Sequence, residues 1–407
     1  MRFKLKYITR TVWLLSLVSM FTDTASEMLY PIMPLYLKSI GFSIVLIGVL
    51  EGVAEATAGL SKGYFGKLSD NTGKRMPFVQ WGYALSAISK PLMALFIAPL
   101  WVFFVRTIDR FGKGLRTGAR DAVLSDEATA ATKGKIFGFH RSIDTIGAVL
   151  GPLLALLYLQ WHPQDYKTLF FIAFAPGILA VLCSFLLKDK NVIQKPIETK
   201  VSFFSFLGYW KKSPALYRKL VIGLLVFTLF NSSDVFLLLK AKQAGLNDSN
   251  VITVYIFYNL VYAIFAFPIG ILADKLGLKK IFIFGLVIFA MVYGGMVFAN
   301  QSYHFYILFF LYGVYAAATE GISKAWITNI SSKEDTATAI GTYSAFQSIC
   351  TMLASSLAGL IWFQFGSEVT FILSAVVVLG VVLYFVFIPS KSDLAANSKN
   401  NFLSIKK

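Results

Sequence analysis

Charge is scarce in this chain. Asp, Glu, Lys and Arg make up 14% of 407 residues, against roughly a quarter in a soluble globular domain. That is too little polar material to surface the two or three soluble domains such a length would suggest. Cysteine is nearly absent: Cys183 and Cys350 lie in separate apolar runs, which excludes a disulfide scaffold and a redox pair. The three histidines, His140, His162 and His304, lack metal-ligand spacing, so no metal or other cofactor is expected. No glycine-rich phosphate loop appears, which argues against direct nucleotide use. No constellation reads as an enzyme. Acid is scarcer than base, 21 against 38, giving a net charge of +17.

What fills the chain is apolar: 57% of residues are hydrophobic, in runs of the roughly 20 residues that cross a bilayer as a helix. They fall near 11–36, 42–66, 77–99, 101–125, 134–160 and 167–187, then near 217–239, 250–273, 279–299, 302–327, 335–363 and 368–388. Such continuous runs are unlike the alternating strands of a membrane barrel. The first run continues through Tyr30-Pro31-Ile32-Met33-Pro34 with no cleavage site. Two sets of six spans imply a first unit over 1–187, a cytoplasmic linker over 188–216, a second unit over 217–390 and a polar tail over 391–407.

Positive charge is distributed by side. With the N-terminus inside, the inner segments hold Arg2, Lys4, Lys6 and Arg10, then Lys67, Lys74 and Arg75, then Lys133 and Lys135, with many more in the linker and tail. The connections near 98–101, 299–302 and 364–368 have no Lys or Arg. This is the positive-inside pattern. The charge is therefore mainly topological, and no nucleic-acid partner is expected. In the linker, Phe203 to Lys212 is an aromatic-basic stretch, which suits an amphipathic helix on the inner membrane surface or an ordinary connection.

One turn occurs twice. Gly66, Leu68, Asp70, Gly73 and Arg75 join spans two and three; Gly270, Leu272, Asp274, Gly277 and Lys279 join spans eight and nine, at matching offsets. Glycines permit close helices and tight reversals. An acid there can accept hydrogen bonds from the N-terminal amides of a neighbouring helix, and the cation can pair with Asp121 or Asp126 at the inner end of span four. The arrangement is a clasp that would open when two halves rock.

Over nearly its full length the chain resembles the major facilitator superfamily of secondary transporters, and the Asp70 loop is similar to that family's signature loop. The resemblance implies an all-α polytopic membrane protein. Its twelve transmembrane helices would form two pseudo-symmetric six-helix bundles around a cavity reached alternately from either face. Gly147-Ala148-Val149-Leu150-Gly151-Pro152 in span five resembles the antiporter sequence of drug and metabolite exporters, although the later glycines of that pattern are missing. Its small residues allow close packing, and Pro152 can bend the helix.

Charged groups at membrane depth must be paired, protonated or hydrated. Asp23 and Glu27 share one face of span one, and Glu51 and Glu55 one face of span two. Span four carries Arg106, Asp109, Arg110, Lys113, Arg116, Arg120 and Asp121. Arg106 or Arg110 is expected to pair with Asp23, Glu27, Glu51 or Glu55. Adjacent acids resist joint ionisation, which makes one a proton carrier. Arg110, followed by Gly114 four residues on, matches the family's span-four arginine, which the resemblance associates with proton coupling. A buried salt-bridge network is the competing reading. In span five, His140 could titrate, Arg141 could pair with an acid and Asp144 could meet span four. Farther on, Tyr30, Asp234, Tyr258 and Asn259 are candidate pocket residues, and Glu320 and Lys324 read as a satisfied pair at i,i+4.

The leading expectation is a monomeric exporter of a small organic compound in exchange for protons, in a bacterial inner membrane with both termini cytoplasmic. A metabolite importer or uniporter, a metal or metal-complex efflux transporter, and a non-transporting receptor remain as alternatives.

Overall fold

The computed structural model describes residues 8–30, 32–189 and 202–388, with backbone alone at 34, 35, 44, 45, 47–49, 51, 248 and 249. The expectations for Arg2, Lys4, Lys6, Pro31, the tail 391–407 and the side chain of Glu51 lie outside the described residues. Among those described, all regular structure is helical.

The first expected span is two helices, α1 (Arg10–Leu29) and α2 (Met33–Ser39). α1 stops where the sequence runs into a proline, which disfavours helix at the preceding residue. Next come α3 (Ile44–Thr72), α4 (Met76–Leu95), α5 (Pro99–Asp126), α6 (Lys133–Trp161) and α7 (Tyr166–Ser184). A short α8 (Gly208–Lys212) precedes α9 (Ala215–Phe230) and α10 (Asp234–Gln243), which divide the seventh expected span at Asn231–Ser233. α11 (Asp248–Leu276), α12 (Leu278–Phe298), α13 (Ser302–Ile330) and α14 (Thr336–Phe387) complete the chain. α14 would be about 78 Å long if straight, but Gly366 inside it is non-helical (φ 87°, ψ 172°) and splits it in two.

Among the described residues, seven helices are long and apolar enough to cross a membrane. α1, α3, α4 and α5 fall outside that count because of their polar and charged positions. Large apolar side chains stand fully out on the surface, Phe363 at 88% exposure and Phe387 at 82%. That surface suits lipid and not water. The molecule is a multi-pass membrane protein.

α1 packs on α6 and α7, and α5 on α3 and α4; in the other group α13 packs on α11 and α12, and α14 on α9 and α12. Two crossings join the groups, α3 with α14 and α6 with α11. Both are built on glycine. A Cβ on Gly59 would stand 2.6 Å from that of Ser348, and Gly66 abuts the Ala337 carbonyl. A Cβ on Gly138 would stand 2.5 Å from the Ala266 carbonyl, and Gly134 and Gly270 are in mutual contact. These approaches lie at one end of the molecule, with the 73–75 and 331–335 connections. Towards the other end, a Cβ on Gly52 would meet nothing within 4 Å.

The linker enters the first crossing. Phe206, 1% exposed, lies with its ring over Gly63, and its carbonyl accepts from Thr342 Oγ1 at 3.3 Å. Burial pushes the nearby Tyr209 phenol up to about 12. Phe203, Phe204 and Leu207 remain exposed, so only part of this aromatic stretch faces outward.

Candidate functional site

The repeated turn folds as a repeat. Gly73 (φ 64°) and Gly277 (φ 101°) end α3 and α11 in left-handed conformations that favour glycine. One turn earlier, each acid caps a helix of the other group. Asp70 accepts from the Ala337 amide at 3.3 Å and from the Thr338 amide and hydroxyl at 2.6 and 2.7 Å, at the first turn of α14. Asp274 accepts from the Gly134 and Lys135 amides at 2.7 and 2.9 Å, at the first turn of α6. Arg75 reaches Asp70 at 3.5 Å and Asp126 at 3.3 Å. Lys279, at the matching offset, donates instead to the Val386 and Ile388 carbonyls. Asp121 does not join this loop: it pairs with Arg120 at 2.9 Å and Lys324 at 2.8 Å. The turn's cation reaches only as far as Asp126.

Above this closed end, α1, α3, α5 and α6 bring charge together. Asp23 lies among Asp144, Glu27, Arg141 and Lys113. Glu27 faces Lys113, Arg110 and Arg141, and Glu55 faces Lys113, Lys62 and Arg110. The acidic faces of the first two spans therefore do meet α5, through Arg110 and Lys113. Arg106 pairs with Asp109 of its own helix at 3.5 Å, and Lys90 of α4 reaches the same carboxylate at 2.8 Å; Glu55 is also within the electrostatic reach of Arg106. Arg116 also turns to α4, donating to Ser86 Oγ at 2.6 Å and lying 4.6 Å from the Tyr83 ring centroid. The basic face of α5 is thus divided, part of it tying α4 and part facing acids. Gly114 lets α5 close on α3, where a Cβ would stand 2.9 Å from the Ala58 carbonyl.

Gly147 and Gly151 let α6 meet α1: a Cβ on Gly151 would stand 2.6 Å from the Met28 amide nitrogen and 2.7 Å from the Thr24 carbonyl oxygen. Pro152 lies within a helix that continues to Trp161. His140 is buried and meets Ser16 Oγ at 3.3 Å through Nδ1.

Across from α1, Asp234 opens α10 and accepts from Tyr312 at 2.7 Å. Glu27 lies within its electrostatic reach. Tyr30, half-exposed at the end of α1, lies near Tyr255. Tyr258 is buried in an aromatic stack with Tyr262 and Tyr312. Asn259 is buried too and donates to the Tyr255 carbonyl of its own helix at 3.0 Å.

Glu320 and Lys324 are not paired with each other. Glu320 accepts from Arg141, and Lys324 from α13 pairs with Asp121 of α5. Their i,i+4 spacing suggested a local pair, but tertiary approach offered both residues partners on other helices. Lys62, Lys90 and Lys113 were also missed as site residues. Each is a lysine in or beside an apolar run, which is the signal that could have found them. Among the described residues no three His, Cys, Asp or Glu side chains converge as a metal site.

A family model described as Major Facilitator Superfamily matches residues 15–259 and 235–405. An uncharacterised MFS-type transporter of Methanocaldococcus jannaschii is 32% identical over 387 residues, 93% of this chain and 95% of that relative. A multi-drug resistance efflux pump PmrA homolog of Lactococcus lactis is 21% identical over 362 residues, 84% of this chain and 87% of that one. The solved structure of the human organic anion transporter MFSD10 (TETRAN) superposes with a TM-score of 0.79 at 15% identity, over 92% of this chain and 99% of that chain.

Proposed function

The chain belongs to the Major Facilitator Superfamily, and from that premise we propose that it exports a small organic compound in exchange for protons. Family membership makes it a secondary transporter of a small molecule by alternating access, and not an enzyme. The finer reading has twelve spans in two six-helix halves, 1–187 and 217–390, with both termini in the cytoplasm of a bacterial cell.

The observation that carries it is the asymmetry of the two ends. Two glycine crossings, each capped by an acid from the opposite half, shut the end that the positive-inside pattern puts in the cytoplasm. The acids and cations of α1, α3, α5 and α6 lie above that floor, in an outward-facing arrangement. Asp23 and Glu27, close to one another and to Asp144, supply the carboxyl cluster a proton needs. Arg110 and Lys113 supply the countercharge that replaces the proton when it leaves. Asp234 and Tyr255 offer the opposite wall for substrate, with Tyr30 beside them at the end of α1. Export is supported by the close packing of Gly147 and Gly151 on α1 and by the efflux name of the Lactococcus relative. The charge cluster and the facing Asp234 come from one chain, which fits a monomer.

The test is a panel of organic compounds in reconstituted vesicles with an imposed pH gradient. Asp23→Asn, Glu27→Gln and Arg110→Ala are expected to lower gradient-driven transport at least tenfold, since each removes a charge that the proton step needs. Transport that ignores the gradient and survives all three substitutions would refute proton coupling through this cluster.

A further inference from the structure

Two ion pairs tie α5 and α6 to α13 beside the glycine crossings. Arg141 Nη2 meets Glu320 Oε2, and Asp121 Oδ2 meets Lys324 Nζ at 2.8 Å. In each, the member on α5 or α6 already holds a second opposite charge on its own helix. Arg141 Nη1 is 2.8 Å from Asp144, and Asp121 Oδ1 is 2.9 Å from Arg120. Asp121 and Asp144 are enclosed, exposing 1% and 4% of their side chains, and Arg141 exposes 32%. On α13, Glu320 exposes 46% and Lys324 26%. They also stand four residues apart on one helix, with Glu on the N-terminal side, the favoured orientation for a pair of that spacing.

We infer that these residues form an ion-pair exchanger in the cavity floor. Glu320 and Lys324 bind across to Arg141 and Asp121 while the floor is closed, and bind each other when α13 draws away from α5 and α6. Stranding a buried charge costs about 3–5 kcal/mol, which would lock a floor closed by ordinary buried pairs. Here separation strands nothing. Arg141 keeps Asp144, Asp121 keeps Arg120, and the two α13 residues exchange partners within one helical turn. The Tyr262 hydroxyl, 3.0 Å from Glu320 Oε2 and also bonded to Arg141 Nε, holds Glu320 in its cross-floor position. The two acids with permanent partners, Asp121 and Asp144, are buried, while Glu320, Lys324 and Arg141 are open enough to turn. The inference rests on the family's alternating access and not on proton coupling or direction of transport.

The experiment needs no substrate. Spin labels at Lys74→Cys and Lys333→Cys, in full-length protein with Cys183→Ala and Cys350→Ala, report across the closed end in lipid nanodiscs by pulsed dipolar spectroscopy. Glu320→Lys with Lys324→Glu keeps the in-helix pair and sets like charges across both contacts. It should raise the long-distance population about tenfold or more over the parent. Glu320→Gln with Lys324→Gln, which removes the pairs from both states, should shift it less. Asp121→Asn, which removes the Arg120 pair from both states and the Lys324 contact from the closed state alone, should also favour the long distance, and it carries the test if the swapped protein does not purify. A parental distribution in the swapped variant or in Asp121→Asn would overturn the exchanger, as would a neutral double variant that opens as far as the swapped one. Transport in the vesicle assay can fail without altering any of these outcomes.

Discussion

Asp70 and Asp274 cap helices of the opposite group from equivalent positions, yet they are not equally held. Asp70 is buried, accepts three hydrogen bonds and meets Arg75. Asp274 is half-buried and accepts two. Loss of a helix cap costs about 0.5–2 kcal/mol, so Asp70→Ala should fall at the top of that range and Asp274→Ala near its middle. Thermal unfolding in detergent measures the difference, and equal losses would mean that the two caps are equivalent. Glycine makes a second residue-scale prediction. Gly138→Val would drive a side chain into the Ala266 carbonyl and should weaken the closed floor by about 1–3 kcal/mol. The long-distance population of the spin-label pair would rise accordingly.

At the scale of elements, the linker is a part of the floor as well as a tether. Phe206 fills the α3–α14 crossing, whereas Phe204, two residues earlier, is 56% exposed. Phe206→Ala should therefore cost about 3 kcal/mol or more, and Phe204→Ala no more than about 0.5 kcal/mol. Unfolding midpoints of the two variants check this, and comparable losses would place both rings in one environment. The interruptions between α1 and α2 and between α9 and α10 also belong to this scale. Each divides the first long helix of its group, and the second one puts Asp234 at a helix start, where the amides favour a negative charge.

At the scale of the molecule, alternating access requires the two ends to differ, and impermeant thiol reagents can read which is which. With Cys183 and Cys350 replaced, Trp161→Cys should react from outside the cell and Lys74→Cys only after permeabilisation. The reverse result would invert the orientation and make the present arrangement an inward-facing one. Lys113→Cys, exposed above the floor, should react from the same side as Trp161→Cys. Reaction from the Lys74 side alone would place the cavity opening at the wrong end.

Helix positions were legible in the sequence because apolar runs and glycine turns are local signals: the Asp70 and Asp274 turns and the break near residue 366 need only their neighbours. Intramembrane charges were legible as a set, since any ion in an apolar run is conspicuous. Their pairing was not. Arg106 meets Asp109 of its own helix, a carboxylate it shares with Lys90 of α4, and Glu320 and Lys324 found Arg141 and Asp121 instead of each other. Helical spacing shows which charges share a face, but burial and the approach of another helix select the partner. The sequence by itself therefore determined a bundle of membrane helices with a repeated capped turn and a charged interior. Only the tertiary structure decided which end is closed and which ions close it, because an ion pair across two helices depends on how those helices cross, a distance that no local pattern encodes.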